Sequence, residues 1–226
     1  LVEILKKVNI KGVKNLEIKF HLEDNPLKFR NFRLFIIGHF LSFTGSWIQN
    51  TAQVWLVYEL TLSSLYLGIF SFFSSFPTIL FTFVSGILTD LFDRKKLLSL
   101  IAFFSIFPPL VLGVLTQFKL INFWQVTFLA FLSGCLSALD TPLRQVFISE
   151  IVPMKFLTKA ISFQSLSFNT ARVLGPFIAG LIISYGNLYQ CFYLNALSFI
   201  PFLIFLTFFI KVQKKKEIRK AEKIKF

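Results

Sequence analysis

Six long apolar runs, each of bilayer-crossing length, constrain this chain more than any motif in it. They cover about 34–58, 65–88, 97–116, 121–145, 157–184 and 190–210. A run of some 18 or more predominantly apolar residues is the mark of a transmembrane helix. A spanning helix satisfies its own backbone hydrogen bonds, which lipid cannot do. The expected fold is therefore all-α, an integral membrane bundle of six transmembrane helices. Composition agrees: 55% of residues are hydrophobic and only 15% are charged, more apolar surface than a soluble core of this size needs.

The net charge of +13 invites a nucleic-acid reading, but its placement argues otherwise. Residues 1–33 hold eight Lys/Arg, residues 211–226 hold eight, and the 177 residues between hold the other eight. Basic ends on an apolar body are topology signals and contacts for anionic lipid head groups. No aromatic-and-basic module accompanies them, so no nucleic-acid partner is expected. Connections 2–3 and 4–5 carry Arg94, Lys95, Lys96, Lys155 and Lys159, while the opposite connections carry Lys119 alone. The positive-inside rule then puts both termini in the cytoplasm of a multi-pass protein of the plasma or inner membrane. The organisation reads as a basic tail (1–33), a six-helix half-bundle (34–210) and a second basic tail (211–226).

Enzymatic chemistry is not expected. No phosphate-cradling Gly-rich loop, nucleophile–base–acid set or metal-ligand cluster is visible, and Cys135 and Cys191 stand singly in apolar runs. No cofactor or metal is anticipated. What the spans do carry is misplaced polarity. Gln49, Asn50 and Gln53 share a face of the first span, where they serve either as interhelical hydrogen bonds or as contacts for a substrate. His39, in the same span, reads as a hydrogen-bonded packing residue or a titrating one. Asp140, Arg144 and Arg172 are charges inside spans four and five, and each needs a partner. Asp140 and Arg144 are four apart and suit an i,i+4 pair. The offsets of spans four and five also put Asp140 within long reach of Arg172. In the fifth span Ala171, Gly175 and Ala179 make a flat strip for close helix approach, and Pro176 permits a bend. Pro77 and the pair Pro108–Pro109 mark further kinks in spans two and three.

Two levels of resemblance sharpen this. Gly86-Ile-Leu-Thr-Asp90-Leu-Phe-Asp-Arg94-Lys95, between spans two and three, resembles the 2–3 loop signature of the major facilitator superfamily, departing from it at Asp93. The resemblance implies a gating latch: Gly86 at the close-packing position, Asp90 as its acid, Arg94 and Lys95 as basic partners. Further on, the chain is similar to one branch of that superfamily. The segments are Asp140-Thr-Pro-Leu-Arg144-Gln145, Glu150-Ile-Val-Pro153, Asn169-Thr-Ala-Arg172-Val-Leu-Gly175-Pro176-Phe-Ile-Ala-Gly180 and Phe192-Tyr-Leu-Asn195-Ala196. The branch comprises the drug, macrolide and siderophore exporters called transmembrane secretion effectors, the enterobactin exporter among them. Its fifth-helix element, Arg172, Gly175, Pro176 and Gly180 here, looks like an antiporter motif.

The resemblance implies export of small amphipathic compounds by alternating access, coupled to protons, with Asp140 and Arg144 as coupling candidates. Short echoes support a 3+3 inverted repeat. Phe40-Leu41-Ser42 returns as Phe131-Leu132-Ser133, and Phe83-Val84-Ser85-Gly86 as Phe177-Ile178-Ala179-Gly180, at near-equal offsets. Such exporters need twelve helices. The expected partners are therefore lipid, a small-molecule substrate, protons, and a C-terminal six-helix half or a second copy. The alternatives are a truncated membrane protein that does not transport, and a homodimeric channel or small transporter.

Overall fold

A computed structural model describes residues 25–210 and, for 82–91, the backbone course alone. Most of the first basic tail, all of the second, and the side chains around Gly86 and Asp90 lie outside the described residues. The described chain is helical throughout: α1 (Arg30–Thr61), α2 (Ser64–Leu91), α3 (Arg94–Phe104), α4 (Phe107–Gln117), α5 (Phe123–Ile151), α6 (Leu157–Tyr185) and α7 (Leu188–Ile204).

Local signals set the boundaries. Asn25 Oδ1 accepts from the Leu27 N–H at 2.9 Å, opening a short 3-10 turn that feeds α1. Leu62 closes α1 in a left-handed conformation, its N–H returned to the Tyr58 carbonyl at 2.8 Å. Asp93, the departure from the loop signature, is the N-cap of α3: its carboxylate accepts from the Lys96 N–H at 3.1 Å from an extended backbone. An aspartate in that place does for a helix start what its short acceptor side chain is suited to do. Asn122 and Gln125 cap α5 reciprocally at 3.0 Å each way.

The third span is kinked into two helices, as its prolines predict. It breaks at Ser105–Ile106, just ahead of Pro108 and Pro109 in the first turn of α4. Two successive prolines remove two backbone donors and crowd the preceding turn, so the helix ends and restarts. Taken as one unit, Arg94–Gln117 joins four other segments that are long and apolar enough to cross a membrane. At 32 residues α1 has the length, but its polar residues keep it out of that set.

Packing exposes the repeat. Helix α1 lies mainly against α6 and α7, α5 lies mainly against α2 and also contacts α3 and α4, and α4 packs on α7. The lead helix of each three-span unit thus grips the second span of the other. A glycine sits at each grip. A Cβ on Gly134 would come within 2.6 Å of the Ser74 carbonyl on α2, and one on Gly175 would collide with Trp47 on α1. Small residues are what let helices approach this closely where apolar burial gives no net drive.

The buried apolar residues fall into two clusters. One, around Phe35, Leu98, Phe147, Phe156 and Phe202, fills the end that carries Arg94 and Lys155. The other, around Ala52, Phe70, Leu112, Val126 and Phe192, fills the opposite end. His39, Ser42, Gln49, Asp140, Arg144 and Asn195 are buried polar groups interleaved with these clusters. Phe72, Phe128, Val173 and Phe177 are exposed on the outside, as a lipid-facing belt requires.

Candidate functional site

Between the two apolar clusters lies a cavity of about 550 Å³. Helix α1 contributes Ser46, Gln49, Asn50 and Gln53 to its wall. Ser74, Ser75, Thr78 and Ile79 come from α2, Ser133, Gly134 and Ser137 from α5, and Asn195 and Phe199 from α7. Ser105 and Pro109, flanking the break in the third span, complete it. All three polar residues singled out on the first span therefore face one space. Gln49 is also tied across the bundle, its Oε1 accepting from Asn195 Nδ2 at 2.5 Å. One helical turn on, the buried Gln53 Nε2 has no partner. Interhelical bonding and cavity lining coexist in this one stripe.

The charged residues occupy a second site beside the cavity. Arg144 Nε donates to Asp140 Oδ2 at 2.6 Å, and Arg144 Nη1 to Ser42 Oγ on α1 at 2.9 Å. The guanidinium carbon lies 3.8 Å from the Phe202 ring centre and 5.0 Å from that of Phe43. Arg144 is 1% exposed, so a full charge is held inside the bundle by one carboxylate, one hydroxyl and two ring faces. Asp140 Oδ1 and Arg144 Nη2 remain unpartnered, leaving the pair hydrogen-bonding capacity to exchange. Next to it, His39 stacks on Phe43 at 4.5 Å and shares a 3.3 Å hydrogen bond between its Nδ1 and Ser167 Oγ on α6.

Arg172 is not brought to Asp140. Helix α6 packs mainly on α1, so Arg172 stands exposed with its guanidinium 5.5 Å from the Trp47 ring centre. Ala171, Gly175 and Ala179 are buried, whereas Pro176 and Gly180 face outward, and a Cβ on Gly180 would meet nothing within 4 Å. Of the four loop residues, Arg94 and Lys95 are described. Arg94 Nη1 pairs with Glu150 Oε1 at the end of α5, 2.8 Å away, and Lys95 Nζ donates to the Thr207 carbonyl at 3.2 Å. The 2–3 connection is thereby fastened to both the fourth and the sixth spans.

Sequence reasoning missed the partners more than the residues. Ser42 and Phe202 hold Arg144 from distant parts of the chain, and nothing local marks them. The hydroxyl pairs lining the cavity were findable: Ser74 and Thr78, and Ser133 and Ser137, each recur at four residues inside otherwise apolar spans.

A family model described as transmembrane secretion effector matches residues 24–225. The staphyloferrin A transporter of Staphylococcus aureus is 33% identical over 187 residues, covering 82% of this chain and 47% of that protein. An uncharacterised MFS-type transporter of Bacillus subtilis, YfiS, is 27% identical over 74% of this chain and 39% of its own length. Macrolide efflux protein A of Streptococcus pyogenes is 25% identical over 67% of this chain and 37% of its own. The chain spans less than half the length of these curated relatives. No solved structure matches it.

Proposed function

Since the chain belongs to the transmembrane secretion effector family of major facilitator transporters, we propose that it is the N-terminal half of a proton-coupled exporter. The cargo is a small amphipathic compound of the drug, macrolide or siderophore kind. Relatives described as a staphyloferrin A transporter and a macrolide efflux protein support this class of cargo. The observation that carries the reading is the roughly 550 Å³ cavity walled by five helical elements, with Gln49, Asn50 and Gln53 on one of its faces.

In this reading both termini are cytoplasmic, and the basic end of the bundle is the inner end. Arg94–Glu150 and Lys95–Thr207 fasten that end shut, with Gly86 and Asp90 completing the latch, and release as the cavity turns inward. Asp140 exchanges its proton as the Arg144 contact loosens, which links the gradient to the rocking of α1 on α5. Gly175 and Pro176 give α6 a close, bendable seat on α1. A second six-helix half supplies the facing wall, so the chain alone does not transport.

The test is a chimera in which residues 1–210 are joined to the C-terminal half of the staphyloferrin A transporter, reconstituted in vesicles. Efflux that follows an imposed pH gradient, collapses with a protonophore and disappears in Asp140→Asn is the expected result. Gradient-independent flux, or full coupling in Asp140→Asn, would sink the coupling role.

A further inference from the structure

We propose that one flank of α6 is a docking face for a transmembrane helix of the second half, and that this helix brings a carboxylate to the level of Arg172. The inference rests on the exporter reading for the origin of that helix, but the chemistry of the face comes from α6 itself. The exposed arc of α6 is divided lengthwise. Leu166, Val173, Phe177 and Leu181 recur along one flank and are all exposed. Thr170, among them, turns its hydroxyl back to the Leu166 carbonyl at 2.8 Å. Ser162, Ser165, Asn169, Arg172, Pro176 and Gly180, spaced by three and four residues, are exposed along the other flank. The first flank suits lipid, and the second carries a full charge into it.

Arg172 stands near the middle of a 29-residue helix, about 20 Å from either end at the helical rise, too deep for its guanidinium to climb to the head groups. Its contact within the chain is the Trp47 ring, 5.5 Å away. Among the described residues no carboxylate answers it. Asp140 is held by Arg144, Glu150 by Arg94, and Asp93 caps α3. Glu59 lies about 18 Å beyond Trp47 along α1 at the helical rise. A charge at this depth is expensive in lipid; it pairs with another group or faces water. The residues around Arg172 favour a helix over water. Ser162 Oγ donates to the Thr158 carbonyl at 3.0 Å and Asn169 Nδ2 to the Ser165 carbonyl at 2.8 Å, so these side chains are turned back on their own helix. At Gly180 a Cβ would meet nothing within 4 Å, so the described chain makes no use of the room that glycine leaves. Small residues and inward-turned polar groups admit a second helix closely, and the lone guanidinium sets the level of its acid. The curated relatives, of which this chain spans less than half, have further chain from which such a helix can come.

Nitroxide labels on Ser165→Cys, Asn169→Cys, Val173→Cys and Phe177→Cys test the face in a chimera freed of its native cysteines and reconstituted in vesicles. Labels at 173 and 177 should collide with dissolved oxygen, as lipid-facing groups do. Those at 165 and 169 should be shielded severalfold from both oxygen and a water-soluble nickel chelate, and should lose that shielding in the full chain without a second half. The charge is tested by co-purifying the full chain with the separately expressed C-terminal half of the staphyloferrin A transporter. Arg172→Glu should lower recovery about fivefold or more, and Arg172→Lys should retain most of it. Reversing one Asp or Glu inside a span of that half to Arg should restore recovery with Arg172→Glu, which a misfolded variant would not allow. Nickel or oxygen reaching the 169 label in the chimera, no recovery with the unaltered chain, or no reversal that restores it would each overturn the proposal. Proton-driven efflux by the chimera with the 169 label open to water or lipid removes this inference and leaves the exporter standing. Shielding and restoration without any efflux do the reverse.

Discussion

Replacing Asp140 and Arg144 singly and together offers a sharp test of what holds the middle of this bundle. Asp140 is 7% exposed and Arg144 1%, at 2.6 Å. Asp140→Leu leaves a guanidinium in place with only Ser42 Oγ and two rings to answer it. Breaking a buried pair in this way costs about 3–5 kcal/mol. Arg144→Met strands the carboxylate at a similar cost and forfeits the ring contacts, worth up to about 2 kcal/mol more. The double variant removes both charges and fills the space with apolar atoms, which is neutral or stabilising by about 1–4 kcal/mol. The singles therefore overshoot the double by several kcal/mol. At about 2–4 °C per kcal/mol for a chain of this size, Asp140→Leu should melt about 6–20 °C low and Arg144→Met about 6–28 °C low. The double should melt within a few degrees of the parent or above it. Tryptophan fluorescence on heating in nanodiscs reads all four proteins. If the two single effects simply add in the double, the pair is not the coupled, desolvated unit described here.

Two further perturbations separate look-alike residues. Gly175→Ala pushes a methyl group into Trp47 and the α1 backbone and should cost about 1–3 kcal/mol by overpacking, whereas Gly180→Ala meets open space and should be neutral or stabilising by up to about 1 kcal/mol; equal melting temperatures for the two would refute the α1–α6 grip. Arg94→Ala removes an ion pair whose side chains are 29% and 26% exposed, so stability should change by no more than about 1 kcal/mol. In an Ala102→Cys background, labelling at this buried site should nevertheless speed up severalfold, because the fastening of α3 to α5 is gone; an unchanged labelling rate would remove Arg94 from the latch.

The helical class, the order of the spans and a close helix approach on α6 follow from features short in sequence: long apolar runs, tight connections, Gly175 in a run of small residues. The Asp140–Arg144 contact is legible for the same reason, since four residues make one helical turn. The neighbours of those groups are not legible. Arg172 and Arg144 look alike as in-membrane arginines, yet one is exposed over Trp47 and the other is enclosed by Phe43 and Phe202. Which of them is buried depends on how far each helix is rotated against its neighbours, and rotation leaves only a faint trace in a span apolar on most sides. The kink that two adjacent prolines predict is present: the ladder is interrupted at Ser105–Ile106 while both residues keep a right-handed helical backbone.

That break divides the third span's duties. Above it, α4 is pinned to α7, where Gly113 lies flat against Tyr193 and the Tyr193 hydroxyl donates to Gln117 Oε1 at 2.5 Å. Below it, α3 bears Arg94 and Lys95 and their fastenings to α5 and the sixth span. With no continuous ladder of backbone bonds through the elbow, tilting the lower rod need not drag the upper one off its anchor. Ser105 and Pro109, the elbow itself, line the cavity, so in the proposed exporter a molecule lodged there would press on the joint rather than on either arm.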